Sequence, residues 1–193
     1  MTSLRERNRL NAKRSAQRAA LAMFNERGYE QVTVSEIAVA AGMAASTVYR
    51  HFRTKEDIVL WDEHDHAIGQ ALTDRLSQAG PFQAMRDVFV ETLGGRYDGD
   101  LDFQLARVQF IYATERLHAA AVEANLRNRV ELTDGLRPLL TKRNRHAAAV
   151  LAGAALLAVD IAIERWQYDD AKKSLGIYLN ESFDSLEALA SIT

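Results

Sequence analysis

The side chains best placed to do chemistry lie between Thr33 and Lys55. Ala45, Ser46, Thr47, Tyr49 and Arg50 are short or polar residues in one short stretch, interrupted by Val48 and followed by Phe52. In a helix from Ala45 to His51, Val48 and Phe52 turn to a core and the others stay on the surface. Short residues at a helix start permit close approach to base edges, and Thr or Ala methyls pack on thymine methyls. Tyr49, His51 and Lys55 can reach phosphate oxygens, while helix N-termini at Thr33 and Lys55 offer backbone amides to anions.

Other chemistries find less support. The five histidines are scattered, there is no cysteine, and no carboxylate pair stands out. No nucleophile, base or metal set converges, so neither catalysis nor a cofactor is expected. In the run Trp61-Asp62-Glu63-His64-Asp65-His66, only Asp62 and His66 share a helical face. One carboxylate and one imidazole do not make a metal site.

Behind these residues stands a globular composition, 48% hydrophobic and 26% charged, with only two prolines in 193 residues. The formal charge of -2 is unevenly spread, since residues 1–60 carry ten Lys/Arg against six Asp/Glu and the remainder is acidic. A basic first third suits contact with a polyanion. The basic segment Arg5, Arg7, Arg9, Lys13 and Arg14 is a candidate arm toward flanking phosphates or the minor groove, or else a frayed solvated tail. A polar, basic beginning gives no secretory signal. The apolar run Ala147 to Val159, ended by Asp160, reads as too short to span a bilayer, so a soluble, cytoplasmic protein without a membrane partner is expected.

The elements that position the site are all helices. The first runs from just after Thr2 or Ser3 to Arg27, where Gly28 stops it. Thr33 and Glu36 have capping-box spacing, Val32 and Ile37 flank them as a hydrophobic staple, and Gly42 ends this second helix. The turn Gly42-Met43-Ala44 leads into the third helix, Ala45 to His51. Two short helices joined by such a turn are the helix-turn-helix arrangement, one bracing and one entering the major groove. Thr54 and Asp57 start a fourth helix, expected to run unbroken through Trp61 and Ile68 to about Ser77. Pro81 opens a fifth, to about Leu93, and Gly94, Gly95 and Gly99 read as a loose connection. Further helices are expected through Leu101 to Tyr112, from Leu117 to about Thr141 with Pro138 near the end, over Arg145 to Trp166, and over Asp170 to Leu189.

The residues Ala22-Met23-Phe24, Gly28-Tyr29, Val32-Thr33-Val34, Ile37-Ala38, Ala41-Gly42-Met43, Thr47-Val48-Tyr49, His51-Phe52 and Lys55-Glu56 together resemble the N-terminal domain of TetR-family transcriptional regulators. The resemblance covers roughly residues 13–60. It implies an all-α protein, with a helix-turn-helix domain in 1–54 and a helical effector-binding and dimerisation domain in 55–193. It implies a repressor released from a palindromic operator by a small molecule. A transcriptional activator, or a general DNA-binding protein without an effector, is the alternative. By position, Thr33, Tyr49, His51 and Lys55 match phosphate-contacting residues, and Ala45, Ser46, Thr47 and Tyr49 match residues that approach bases. Ala44 stands where the family often has Ser or Thr, which removes a cap worth ~1 kcal/mol. Ala45 cannot make a bidentate base contact, so reading shifts to Ser46, Thr47, Arg50 and groove shape.

The remaining chain yields two expectations. The helix through Ala147 to Val159 is apolar on every side and needs cover on more than one face. A second subunit would supply it, with Ala152, Leu156, Leu175, Leu179, Phe183 and Leu186 in a two-fold four-helix interface, unless these helices only seal their own domain. The resemblance also implies a regulatory pocket, for which Trp61, Phe82, Phe89, Phe103, Phe110, Tyr112 and Trp166 are candidate walls, with Arg107 or Arg116 for an anionic group. Ordinary core packing is the other reading of these aromatics. The Lys142-Arg143-Arg145 cluster could also neutralise an anionic ligand group, and is more simply a solvated interhelix connection. Thr114-Glu115-Arg116-Leu117, Leu136, Arg143 and the Ala/Leu-rich helix ending in Trp166 resemble the C-terminal domain of mycofactocin-type regulators. That likeness implies an acyl-CoA-like ligand, although Glu115 stands where Pro is common in that group.

Overall fold

The computed structural model describes residues 4–62, 65–76, 78–137 and 145–190, and among them there is no strand. Two compact units emerge, Met1–Glu63 with Ile111–Ala121, and His64–Phe110 with Val122–Thr193. The first unit thus runs past residue 54 and takes in a later segment.

In the first unit, α1 spans Leu4–Arg27, α2 Val34–Ala40, α3 Ala45–His51 and α4 Lys55–Leu60. Ala16, Ala20, Leu21 and Phe24 recur at helical spacing on α1 and are buried with Ile37 and Ala38 of α2, Val48 of α3 and Ile58 of α4. Gly28, at φ 84°, closes α1 through its amide, which donates to Phe24 O at 2.8 Å.

The fourth helix does not run unbroken to Ser77. It stops at Leu60, because Trp61 leaves the helical region at φ -56°, ψ 132°. No glycine or proline causes the stop. The buried Gln17 amide donates to the carbonyls of Ile58 (3.1 Å), Val59 (3.0 Å) and Trp61 (2.8 Å), which a helix end otherwise leaves unsatisfied. The chain resumes as α5, Asp65–Leu76.

In the second unit, α6 (Pro81–Phe89) continues through a π-helical turn, Val90–Gly94, into α7, Gly95–Gly99. Gly94 and Gly95 are therefore helical and not a loose connection. Gly94 serves close packing instead, since a Cβ there would lie 3.1 Å from the Gly176 backbone. Next come α8 (Leu101–Ala113) and α9 (Glu115–Leu136), each shared between the units, then α10 (Arg145–Tyr168) and α11 (Leu175–Ala190). Pro138, Lys142 and Arg143 lie outside the described residues.

α10 packs along α11. Its Ala148, Ala152, Ala155 and Ala162 are wholly buried, small side chains that allow close approach. α11 begins five residues later than the sequence pattern suggests. Asp170 and Ala171 take φ 52° and 53°, and the Ala171 amide donates back to Trp166 O at 2.9 Å, closing α10 with a left-handed turn. One expectation about α10 needs correcting. His146–Tyr168 is long and apolar enough to cross a membrane by length and composition, with mean hydropathy 2.0, because Asp160 does not interrupt the helix. Its alanine face is nevertheless buried within the unit.

Candidate nucleic-acid interface

The interface is built on two seven-residue helices. At the start of α2 the Glu36 amide donates to Thr33 Oγ1 at 3.2 Å, and the Thr33 amide donates to Glu36 Oε2 at 2.9 Å. The Thr33 hydroxyl donates to the same carboxylate oxygen at 2.7 Å, and Arg27 pairs with its other oxygen at 2.7 Å. These bonds, led by the Thr33 hydroxyl, hold the Glu36 carboxyl down to about 2. At the far end Gly42 takes φ 68°, with its amide on Val39 O and the Met43 amide on Ala38 O, both at 3.0 Å. This is the Schellman arrangement, and a side chain at Gly42 would meet left-handed strain of about 1 kcal/mol.

α3 has no such local fastening. Ala44 makes no side-chain bond to the α3 amides, as its residue type dictates. Its anchors are Val48, fully buried, and Phe52 at its C-cap, also buried. With these turned inward, Ser46, Tyr49 and Arg50 are left exposed, and Ala45 and Thr47 are half-buried at the edges. Tyr49 is 53% exposed, an aromatic whose surface is left to solvent beside a cationic neighbour. Behind the helix, Lys13 Nζ lies 5.4 Å from the Phe52 ring centre and 5.1 Å from that of Trp61. Lys13 is thus part of the support of α3, while Arg5, Arg7 and Arg9 are exposed along the first turns of a helix and not on a frayed tail.

Two expected phosphate ligands have further roles. His51 is half-buried, and burial together with Arg50, Lys13 and Arg9 depresses its pKa. Lys55 Nζ donates to Tyr29 O at 2.9 Å and lies 4.4 Å from the Tyr29 ring centre. It locks the corner between α1 and α2, with donors to spare. Thr54 and Asp57 cap α4 reciprocally, the Asp57 amide on Thr54 Oγ1 and the Thr54 amide on Asp57 Oδ2, both at 3.1 Å.

Beside Lys55, Glu56 joins a small network. Burial pushes its carboxyl up, but its own backbone amide and the neighbouring Tyr29, Arg116 and Thr54 outweigh that and hold it down to about 2. Arg116 belongs to α9 and donates to Glu56 Oε1. The guanidinium considered for an anionic ligand is engaged here instead. Gln17, Lys13 and Tyr29 were not singled out from the sequence for these roles. Their partners lie up to 48 residues away in the chain, beyond local pattern.

The candidate pocket walls separate. Trp61 packs edge-on to Phe52 in the first unit at 6.2 Å. In the second unit Phe82 and Phe89 flank Phe183 at 5.9 and 6.4 Å, and Trp166 meets Tyr97 at 5.2 Å. Arg107 is buried, bonded to Gln104 Oε1 at 3.1 Å and Tyr97 OH at 3.4 Å. Phe103 and Phe110 are half-buried on α8. A cavity of about 180 Å³ does lie in this unit, and of the candidates only Phe89 is among the described residues that border it. Of the expected interface residues, Ala152, Leu175, Leu179 and Phe183 are wholly buried within the chain, while Leu156 and Leu186 are half-buried. Among the described residues no three His, Asp or Glu are grouped to hold a metal ion, and Glu63 and His64 lie outside them.

Fold and site together define a helix-turn-helix domain carried by an all-α chain. Residues 18–60 match the family model of bacterial regulatory proteins, tetR family. The chain is 37% identical over 101 residues to the HTH-type transcriptional regulator TcmR of Streptomyces glaucescens, a stretch covering 51% of this chain and 45% of that relative. It thus spans about half the length of that curated relative. The likeness to the TetR family thus rests on the N-terminal domain. The chain's fold is also that of two solved transcriptional regulators. Thermus thermophilus FadR, in complex with lauroyl-CoA, is 19% identical with TM-score 0.58, covering 94% of this chain and 95% of its own. Bacillus subtilis FadR, in complex with stearoyl-CoA, is 21% identical with TM-score 0.53, covering 90% and 96%.

Proposed function

We propose that this chain is a transcriptional repressor that binds a palindromic operator as a homodimer in the cytoplasm and is released by a small-molecule effector. The observation that carries this reading is the division of α3, with Val48 and Phe52 buried and Ser46, Tyr49 and Arg50 exposed, inside a TetR-type domain. Ser46, Thr47 and Arg50 read base edges, Ala44 and Ala45 permit close approach, and Tyr49, His51, Lys55 and the Thr33 helix end meet phosphates. The domain assignment, with the reader ahead of an effector and dimerisation region, follows the same reading. It involves no catalytic step.

A dimer would use a different set of residues from that expected. Val150 and Leu157 are each 59% exposed and Ile161 is 42% exposed, and they recur on one side of α10. A second copy covering this stripe, opposite the alanine face already buried against α11, provides the two-sided cover that α10 needs. Two recognition helices then meet half-sites about one DNA turn apart or a multiple of it.

For the effector, the second unit offers the cavity bordered by Phe89. The acyl-CoA complexes of the two FadR structures and the mycofactocin-like residues favour a thioester ligand. Such a ligand needs cations for its phosphates, and Arg116 is engaged elsewhere while Arg107 does not border the cavity.

Footprinting on DNA flanking the protein's own gene tests the reading. A protected palindrome, lost with Arg50→Ala at unchanged thermal stability, is expected; no protected site there or elsewhere in the genome overturns it.

A further inference from the structure

We infer that the cavity of the second unit receives a compact lipophilic cation, an inference resting on the effector role proposed above. The cavity is small, about 180 Å³, against the roughly 300–1,000 Å³ of ordinary ligand pockets. Its walls are largely aliphatic, including Leu132 and Leu156, with the Phe89 ring among them. Among the described residues that border it there is no lysine or arginine, and Glu131 is the one charged group.

Glu131 differs from the other acids along α9. Glu123 pairs with Arg127 at 2.9 Å and Asp134 with Arg137 at 2.7 Å. Glu131 has no ion-pair partner among the described residues, and it borders the cavity beside Asn128, one turn earlier on the same helix. Both residues are exposed, whereas Phe89 and Leu72 are buried. The cavity therefore grades from apolar depth to a polar mouth with a lone carboxylate.

That gradient selects by charge. An apolar body entering the cavity releases water from aliphatic surface, and this favours binding whatever the charge. An ammonium group left at the mouth gains the Glu131 carboxylate. An anionic headgroup at the same place meets like charge, with no lysine or arginine among the described residues that border the cavity. A phosphate-bearing thioester is disfavoured at this site for that reason.

Calorimetry on the full-length protein separates the possibilities, using phenyltrimethylammonium, its neutral isostere tert-butylbenzene, and lauroyl-CoA. The cation is expected to bind about fivefold tighter than the isostere at low salt, with the gap closing as salt rises. Glu131→Gln, at an exposed position, is expected to abolish the gap and leave tert-butylbenzene affinity unchanged. Equal affinities in the parent protein, a gap that survives Glu131→Gln, or tighter binding of lauroyl-CoA than of the cation overturns the inference. Footprinting with the same compounds keeps the two readings apart. A protected palindrome without a cation preference sinks the inference and leaves the repressor. A Glu131-dependent preference without any protected DNA sustains the cation site and removes its regulatory role.

Discussion

α2 and α3 are helices of equal length, seven residues each, joined by four residues, and they are fixed by opposite means. α2 has a reciprocal capping box at its start and a glycine-based closure at its end, all drawn from residues 33–43. α3 starts at an alanine without a side-chain cap and owes its place to Val48 and Phe52, packed beneath it. A bracing element can be specified by its own ends. A reading element must keep its outer face free for another molecule, so its position is set from behind. α4 combines both devices, a capping box at Thr54 and Asp57 and a distant amide from Gln17 at its end.

The sharpest way to break this contrast is to remove the anchor of α3. Phe52→Ala should destabilise the protein by about 3–5 kcal/mol through the cavity it leaves, read as a fall in thermal midpoint. A loss below 1 kcal/mol would mean that α3 is held by something other than its buried side. Gln17→Leu should cost about 2 kcal/mol, because it leaves partly buried carbonyls at the end of α4 without a donor. If chemical denaturation shows no change, that helix end is satisfied without Gln17.

Smaller effects test the local fastening. Thr33→Ala should cost about 1 kcal/mol by removing one half of the capping box. The Glu36 carboxyl is held down to about 2 in the folded protein, against an ordinary value of about 4.5. Its contribution is therefore complete above that ordinary value and is lost as the pH falls toward 2. Melting curves of parent and Thr33→Ala proteins should converge across that acid window. A constant difference would detach Glu36 from the cap. The least change is expected from Ala44→Ser, which supplies the missing cap and should stabilise α3 by up to about 1 kcal/mol. Tighter operator binding in this variant would show that free α3 is less than fully ordered; unchanged affinity would show that Phe52 and Val48 already suffice.

The same distinction explains how much was legible beforehand. Thr33 with Glu36 and Thr54 with Asp57 are pairs three residues apart, and both capping boxes are present. The extent of α3, Ala45 to His51, also follows from spacing, as does the burial of Val48 and Phe52. The break at Trp61 was hidden because the donor that ends α4 lies 41 to 44 residues earlier. Gly94 misled for a related reason. Glycine is a common turn residue, and only the approach of Gly176 identifies it as a packing residue inside a helix. The expected interface residues on α10 and α11 shared the difficulty, since an apolar stripe does not say which neighbour covers it.

What the sequence determined by itself is therefore the reading unit: its caps, its turn, the phase of α3 and its all-helical class. These rest on interactions within about one helical turn, which composition and spacing encode directly. Tertiary structure alone decided that Lys55 turns toward Tyr29, that Arg116 holds Glu56, that the alanine face of α10 is buried at home while Val150 and Leu157 stay exposed, and that Glu131 borders a largely aliphatic cavity. Each depends on which distant helix arrives alongside, and a long flexible or plain apolar side chain carries no record of that partner in its own stretch of chain.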